Sequence, residues 1–339
     1  MLPKLTYALA GVSMALCIST AQAQNFKALD KDPNVINFGI ISTESTQNLK
    51  AQWLPFLADM EKAIGKPVKA FFAPDYAGII EGMRFGKVHV AWFGNKSGME
   101  AVDRAGGEVF AQEIKANGVQ GYYSHILVNA ANNKINSLTD LLKCDKSLNF
   151  GIGDPNSTSG YLVPSFYVFA KNNVDPVKCF KTVRSANHET NLLSVANKQV
   201  DAAANNSEQM ERAHKSAPEA FKNVKVIWTS PLIPGDPMVY RKDMSKQLKA
   251  TIKAFFLGYG RLGSEAAPQK KVLAAMGSGG GGYTDSSNAQ LYPIRQLALF
   301  KDKLKLQNDK RLDPADKTKR VAVIDAKLQK LGILADPEM

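Results

Sequence analysis

The chain has 339 residues, of which 45% are hydrophobic and 9% aromatic, so it is long enough for about two globular domains and too apolar to be disordered. Its formal net charge is +12, but the lysines are scattered and no zinc-finger or RNP-type aromatic motif accompanies them, which argues against a nucleic-acid partner. The only sustained apolar run is at the N-terminus, so the rest of the chain offers no membrane-spanning candidate.

Residues 1–23 have the pattern of a cleavable signal peptide. Lys4 supplies the positive charge, residues 5–18 form an apolar run that is too short to span a bilayer comfortably, and an Ala-x-Ala cleavage site follows at 21–23. An uncleaved anchor is the alternative. We expect the mature chain to begin near Gln24 and to be exported.

The next part of the chain alternates short apolar runs with helical patterns. In residues 47–64, for example, Leu49, Trp53 and Phe56 recur at helical spacing. The predicted strands cover residues 35–42, 68–73, 88–93, 109–114 and 125–129, and the predicted helices cover 47–64, 76–85 and 95–104.

A second run of alternating elements follows. Its predicted strands cover residues 148–152, 182–185, 200–204 and 224–229, and its predicted helices cover 137–142, 159–171, 189–198 and 207–215. Strands that alternate with helices indicate βαβ units and parallel sheets, so the two runs predict two α/β lobes. We expect lobe 1 at residues 24–125 plus 230–339 and lobe 2 at residues 126–229.

The C-terminal part is predicted to be mostly helical and to pack back on lobe 1. It begins with a proline-rich loop and a short returning strand at 238–240, and its helices cover residues 245–262, 266–276, 292–304 and 317–331. The glycine run at 277–282 is not followed by the Gly-Lys-Ser/Thr of a nucleotide phosphate loop. We therefore expect a flexible surface loop there.

Two cysteines, Cys144 and Cys179, follow the predicted leader. Each lies just ahead of a predicted strand, and neighbouring parallel strands would bring the two positions together. An exported protein lies in an oxidising compartment, where a disulfide is permitted. We expect a disulfide between them, with two free thiols as the alternative.

The segment Asp154-Pro155-Asn156-Ser157-Thr158-Ser159-Gly160 follows a predicted strand and opens a predicted helix. A helix N-terminus offers free backbone N–H groups and the positive end of the helix dipole, which together favour an anion. Ser157, Thr158 and Ser159 add three hydroxyl donors, whereas an ordinary helix cap needs only one. The segment therefore predicts an anion site, with an ordinary cap as the alternative.

Other strand-to-helix junctions would face the same cleft, because ligands of open α/β sheets bind at the carboxyl ends of strands. They include His188, the segment at 205–208 and, in lobe 1, the junctions at 74–76 and 94–95. A histidine at such a place can donate to an oxyanion, although a single one is more often a cap or a surface residue.

An enzyme is the less favoured interpretation. Ser157, His188 and Asp236 include the residue types of a hydrolase triad, but no G-x-S-x-G motif surrounds the serine. The sequence also has no dinucleotide fingerprint and no Cys/His spacing typical of zinc sites. We therefore expect no catalysis, no cofactor and no metal.

Several long motifs give the chain a clear family resemblance. They are FGIISTES at 38–45, FAPDYAGII at 72–80, GDPNSTSG at 153–160, HETN at 188–191, VANKQVD at 195–201, SPLIPGDP at 230–237 and PIRQLALF at 293–300. The chain resembles the phosphonate-binding periplasmic proteins of ABC importers over nearly all of its length after the leader, and especially the type that prefers 2-aminoethylphosphonate.

The resemblance implies the two-lobed type II periplasmic-binding-protein fold, closing on a ligand that is then passed to permease subunits in the inner membrane. It also implies ligand-binding residues. The phosphonate would be held by Tyr76, Tyr122, Ser157, Thr158, Ser159 and His188, and the ammonium by Glu208 and Asp236. Phe93 departs from the family pattern, in which tyrosine is common at this position.

The two acids are the argument for an amine-bearing ligand, because carboxylates would repel a bare phosphate. Taken singly, Glu208 can equally be an acid that stabilises a helix N-terminus, and Asp236 can equally be a turn residue. A binding protein for another phosphorus oxyanion, such as phosphate, phosphite or a phosphate ester, is therefore the alternative function.

Overall fold

The computed structural model describes residues 26–276 and 280–335 and contains two β-sheets flanked by helices. The predicted leader at 1–23 lies outside the described residues. The strands are β1 Ile36–Ile40, β2 Val68–Phe72, β3 Val90–Trp92, β4 Gly107–Lys115, β5 Gly121–Tyr122, β6 Ser124–Asn129, β7 Asn149–Ile152, β8 Thr182–Ser185, β9 Ala202–Asn206, β10 Val224–Thr229, β11 Ile233–Pro234, β12 Pro237–Arg241 and β13 Gly280–Asp285.

Helices cover both faces of the sheets. The α-helices are α1 Thr46–Ile64, α2 Tyr76–Arg84, α3 Asn95–Arg104, α4 Leu138–Leu141, α5 Pro176–Cys179, α6 His188–Ala196, α7 Ser207–Ser216, α8 Pro218–Lys222, α9 Lys246–Gly258, α10 Ala266–Met276, α11 Tyr292–Asn308 and α12 Pro314–Ala335. Within the described part of the chain, none of these helices is both long and apolar enough to cross a membrane.

The first sheet has the strand order β13-β4-β12-β3-β1-β2, and the second has the order β10-β6-β9-β7-β8. Both are mixed. Strand β1 pairs in parallel with β2 and β3, and β7 pairs in parallel with β8 and β9, whereas the other pairs are antiparallel. We call the elements around the first sheet lobe 1 and those around the second lobe 2. The residue boundaries predicted for the lobes stay a prediction.

The chain crosses between the sheets at a two-stranded ribbon, in which β5 pairs antiparallel with β11. Gly121 is required there, because a Cβ atom on it would lie 2.4 Å from the carbonyl oxygen of Ile233. The ribbon therefore joins the lobes at one side of the cleft between them.

Each lobe has an apolar core rich in aromatic rings. In lobe 1 the ring of Phe38 lies 5.3 Å from that of Trp53 and 6.3 Å from that of Phe256. In lobe 2 Phe150 stacks on Phe180 at 4.8 Å. Burying each such side chain contributes about 1.5–3 kcal/mol, so the cores hold the strands whose ends carry the cleft residues.

The helical segment after β7 has wide turns. Thr158–Leu162 and Ser165–Phe169 are π-helical, with i→i+5 bonds such as that from the N–H of Val163 to the carbonyl oxygen of Thr158. Pro164 lies between the two segments and has no N–H to give. A helix was predicted here, but periodicity does not reveal π-turns, which are frequent at functional sites.

The C-terminal part differs from the prediction in two places. Helix α11 contacts α3 of lobe 1, but it also packs on the π-helical segment of lobe 2, where the rings of Phe166 and Phe300 are 6.3 Å apart. The tail therefore contacts both lobes and not lobe 1 alone.

The predicted loop at 277–282 is wrong for its second half, because residues 280–282 belong to β13, which pairs with β4. A Cβ atom on Gly281 would lie 2.2 Å from the carbonyl oxygen of Lys115. The glycines thus allow a close approach of two strands. Residues 277–279 lie outside the described part of the chain.

Candidate functional site

A small cavity lies between the two lobes, at the carboxyl ends of the parallel strands. The eight residues predicted to bind a ligand all line it. The lining residues are Ile41, Thr43, Tyr76, Trp92, Gly94, Tyr122, Ser157, Thr158, Ser159, His188, Asn206, Glu208, Arg212 and Asp236. The structure therefore brings the predicted residues together, and their individual roles toward a ligand stay predictions.

The three hydroxyl residues open the π-helical segment and are all buried. Ser157 caps it, because its Oγ accepts the N–H of Gly160 at 3.0 Å. The Oγ of Ser159 accepts from Nδ2 of Asn206 at 3.0 Å. The Oγ1 of Thr158 accepts the backbone N–H of Lys96, in lobe 1, at 2.8 Å. In all three bonds the serine or threonine oxygen accepts, so none of these bonds uses the hydroxyl proton.

The sequence before these hydroxyls fixes the turn. The Oδ1 of Asp154 accepts the N–H of Asn156 at 2.7 Å, which closes an Asx turn around Pro155. Gly153 and Gly160 approach so closely that a Cβ atom on Gly153 would lie 2.6 Å from the Cα of Gly160. The turn therefore aims the start of the helix into the cavity.

His188 begins α6, and its surroundings favour the neutral ring. Its Nε2 lies 3.3 Å from the Oγ of Ser157 and 3.3 Å from the Nδ2 of Asn206. Burial, followed by the positive charge of Arg212, lowers the pKa of the imidazole to about 3. A bound anion would favour the protonated imidazole and so raise this pKa.

Two tyrosine hydroxyls enter the cavity in their neutral form. Burial and the negative charge of Asp236 raise the pKa of Tyr76 and of Tyr122 above the usual value. The hydroxyl of Tyr122 donates to Oδ1 of Asp236 at 2.9 Å. Tyr122 therefore orients Asp236, which is predicted to bind the ammonium group. The family resemblance instead assigns Tyr122 to the phosphonate.

Three buried carboxyl groups meet at the cavity, and two of them, Glu208 and Asp236, line it. Oxygens of Glu113, Glu208 and Asp236 lie within 4.8 Å of one another, an arrangement that could hold a cation. Lys115 Nζ lies 3.4 Å from Glu208 Oε1. Burial and the neighbouring acid Glu208 raise the pKa of Glu113 and the pKa of Asp236. We call these three residues the acidic cluster.

The sequence analysis missed Glu113, although the strand pattern contains a signal for it. Ala111 and Glu113 are two positions apart on β4, so they share one face, and both are buried. An acid on the buried face of a strand is expensive unless it has a partner or a proton, and this marks it as a candidate site residue.

Arg212 was also not predicted from the sequence. It lies one helical turn after Glu208 on α7 and lines the cavity. Its guanidinium forms an ion pair with Glu44 of lobe 1, and both side chains are buried. Gln52 donates to the same glutamate at 3.0 Å. The pair therefore joins the lobes beside the cavity.

Further polar contacts join the lobes at the rim. The Oε2 of Glu189 accepts the N–H of Ser45 at 2.7 Å, and its Oε1 accepts from Nδ2 of Asn48 at 2.7 Å. The backbone N–H of Tyr76 donates to Oδ2 of Asp154 at 3.2 Å. The lobes thus touch around the cavity and enclose it.

The remaining predicted residues lie outside the cavity lining. The sulfur atoms of Cys144 and Cys179 are 2.11 Å apart, as in a disulfide, at the end of lobe 2 where β7 and β8 begin in parallel register. Phe93, the departure from the family pattern, is buried in the lobe 1 core.

The arrangement does not form a hydrolase triad. The Oγ of Ser157 is near Nε2 of His188, but Nδ1 of that ring has no hydrogen-bond partner among residues 26–276 and 280–335. Asp236 is bonded to Tyr122 instead of the histidine. The cavity is lined by both neutral donors and acids, which suits a small zwitterion with an anionic and a cationic group.

Comparison with known proteins identifies the family of the chain. The sequence profile of a family described as "ABC transporter, phosphonate, periplasmic substrate-binding protein" matches residues 38–291. The chain is 52% identical over 322 residues to the phosphonates-binding periplasmic protein of Escherichia coli K12, covering 95% of this chain and 91% of the relative.

Two further relatives extend the comparison. The crystal structure of a binding protein component of an ABC phosphonate transporter from Pseudomonas aeruginosa is similar, with a TM-score of 0.84 and 54% identity, covering 89% of this chain and 97% of that one. The phosphate-import protein PhnD of Mycolicibacterium smegmatis is 28% identical over 233 residues, which are 66% of this chain and 71% of the relative.

Proposed function

This chain belongs to the family of periplasmic substrate-binding proteins of phosphonate ABC transporters, and we propose that it prefers 2-aminoethylphosphonate and closes its lobes around that ligand. The observation that carries the proposal is the polarity of one enclosed cavity. Hydroxyls and a helix start line it together with Glu208 and Asp236 of the acidic cluster.

The phosphonate group is proposed to bind at the start of the π-helical segment. The hydroxyls of Ser157, Thr158 and Ser159 would donate to its oxygens, together with the hydroxyl of Tyr76 and the ring of His188. Hydrogen bonds to an ionised acceptor are about twice as strong as neutral ones, so these donors suffice without a cation in direct contact.

The ammonium group is proposed to bind Glu208 and Asp236. Both acids line the cavity and are buried, so a ligand cation would meet them in a medium where charge interactions are strong. A ligand without a cation would make no such interaction with them. This difference is the physical basis for preferring an aminoalkylphosphonate over an alkylphosphonate.

Lobe closure is proposed to follow from the position of the donors. The phosphonate donors come from lobe 2 and from Tyr76 of lobe 1, and Asp236 adjoins β12 of lobe 1, so a bound ligand would contact both lobes. A ligand that bridges two lobes stabilises their closed arrangement, and the permease subunits would recognise that arrangement.

Isothermal titration of the chain from Gln24 onward with 2-aminoethylphosphonate, methylphosphonate and phosphate tests the proposal. We expect 2-aminoethylphosphonate to bind at least about tenfold more tightly than methylphosphonate, from one charge-assisted interaction of about 1.5–3 kcal/mol. Equal affinities would overturn the amine preference. Tightest binding of phosphate would favour the alternative, a binding protein for another phosphorus oxyanion.

A further inference from the structure

Glu113 is a buried acid that does not line the cavity but adjoins two acids that do. Its side chain is 3% exposed, and neither carboxyl oxygen has a hydrogen-bond partner in the described part of the chain. Its backbone N–H donates to the carbonyl oxygen of Asp236 at 3.0 Å, so β4 holds the two residues side by side. Burying an ionised carboxylate without a hydrogen-bond partner would cost much free energy of folding, whereas burying the neutral carboxylic acid would cost far less.

The positive charges around Glu113 are too few to balance three ionised carboxylates. The titratable and charged groups that face it are Glu208 and Arg212 from α7, Asp236 from the turn before β12, Lys115 from β4 itself and Tyr283 from β13. Arg212 is already paired with Glu44, and Lys115 is shared with Glu211, whose Oε2 lies 3.1 Å from Nζ. Among the described residues, Lys115 is thus the one cation left for three buried acids, and Glu211 shares it. Carboxyl groups in such a cluster retain a proton that they hold in common.

We propose that Glu113 is the third carboxyl group of the amine subsite and that the acidic cluster shares a proton, which the ammonium group of the ligand displaces. The inference rests on the proposed function, since only an amine-bearing ligand brings a cation to the cluster. The exchange balances: one ammonium charge enters next to the cluster, and one proton leaves the cluster for solvent. Glu113 acts through Glu208 and Asp236, as a positioning residue.

Methylphosphonate provides the natural comparison, because it presents the same anionic group and no cation. Its binding leaves the shared proton in place, whereas 2-aminoethylphosphonate must release it. By linkage, the ligand that releases more protons gains affinity as the pH rises. Selectivity for 2-aminoethylphosphonate over methylphosphonate should therefore increase across the neutral and mildly alkaline range.

Proton release is measured by isothermal titration in buffers that differ in ionisation enthalpy, with both ligands and with the wild-type protein and Glu113→Gln. We expect 2-aminoethylphosphonate to release up to about one proton more than methylphosphonate from the wild-type protein, and close to none more from the variant. The ligand's own titration is the same in both proteins, so the difference between them belongs to the cluster.

Glu219→Gln is the control, because it removes an exposed acid of lobe 2 that pairs with Lys222 and lies outside the cluster. It should release as many protons as the wild-type protein. Equal extra release from the wild-type protein and Glu113→Gln would overturn the proposal. The proposal would also be overturned if the wild-type protein preferred 2-aminoethylphosphonate but released no extra protons on binding it. A wild-type protein without amine preference would instead overturn the proposed function.

Far-ultraviolet circular dichroism and thermal unfolding establish that Glu113→Gln is folded. If it is not, the pH dependence of the wild-type protein decides alone. Selectivity that rises with pH, after correction for the titration of the free ligands, supports the proposal, and selectivity that stays flat overturns it.

Discussion

The Oγ1 atom of Thr158 accepts a hydrogen bond from the backbone N–H of Lys96 at 2.8 Å, and the two residues belong to opposite lobes. A threonine hydroxyl has one proton to donate, so Thr158 can accept from Lys96 and donate to a phosphonate oxygen at the same time. The same oxygen atom would then join the lobes and bind the ligand.

Thr158→Val removes this hydroxyl and keeps the shape of the side chain. We expect it to weaken 2-aminoethylphosphonate and methylphosphonate by the same factor, about 10–100-fold, because a hydrogen bond to a charged group contributes about 1.5–3 kcal/mol. Isothermal titration measures both affinities. Thr158→Ser keeps the hydroxyl and is the control. A loss confined to one ligand would contradict the assignment of Thr158 to the phosphonate.

Glu189 should stabilise the closed lobes without touching the ligand. It accepts from the N–H of Ser45 at the start of α1 and does not line the cavity. An acid at a helix N-terminus contributes about 0.3–2 kcal/mol, so Glu189→Gln should weaken every phosphonate about 2–30-fold and equally. Glu219→Gln, in the same lobe, removes an exposed acid paired with Lys222 and should have no effect. Unequal losses in titration calorimetry would place Glu189 in the ligand site.

Much of the site could be predicted because it lies at the ends of strands. The family resemblance and the two-lobed α/β fold with a helical C-terminal part are confirmed. Ser157, His188 and Glu208 each follow a strand and open a helix, and the carboxyl ends of neighbouring parallel strands meet at one edge. Sequence order alone therefore places these three side chains in one cleft.

Other features depend on which elements face each other, and the sequence does not contain that information. Arg212 lies within α7 and becomes a cavity residue only because Glu44 of the other lobe faces it. Gly281 is in a strand because β4 approaches to a distance that only glycine permits. The π-turns after Ser157 arise from i→i+5 bonds, which leave no period in the sequence.

Glu208 separates amine recognition from phosphonate recognition. Glu208→Gln keeps the size of the side chain and removes its charge, so 2-aminoethylphosphonate should lose about 10–100-fold in affinity and methylphosphonate far less. Glu211→Gln is the control, since Glu211 also pairs with Lys115 but does not line the cavity. Competition titrations with both ligands measure the ratio. Equal losses for the two ligands would mean that Glu208 does not meet the ammonium.

The Cys144–Cys179 disulfide should support lobe 2 and leave ligand affinity alone. It closes a loop with a sequence separation of 35, for which loop-closure entropy gives about 3–4 kcal/mol of stability. The double variant Cys144→Ala/Cys179→Ala should therefore unfold at a lower temperature, and the wild-type protein with reductant should behave likewise. Adding reductant to the double variant is the control. Two free thiols titrated in the native protein would contradict the bond.

His188 should make the ligand-free protein sensitive to acid. The pKa of its imidazole falls from 6.5 to about 3 on folding, because burial and Arg212 disfavour the charged ring. The folded state therefore binds fewer protons than the unfolded state, so the free energy of unfolding declines as the pH falls below 6.5 toward 3. Between about pH 6.5 and about pH 4 this amounts to on the order of 3 kcal/mol, at roughly 1.4 kcal/mol for each pH unit.

Thermal unfolding across this range, without ligand, compares the wild-type protein with His188→Gln. The variant should lose less stability in acid, since glutamine does not titrate. His89 and His125 also have lowered pKa values, but they contribute to both proteins alike, so the difference between the two curves isolates His188. Parallel curves for His188→Gln and the wild-type protein would mean that His188 is protonated in the folded cavity. A phosphonate would then meet an imidazolium cation instead of a neutral donor.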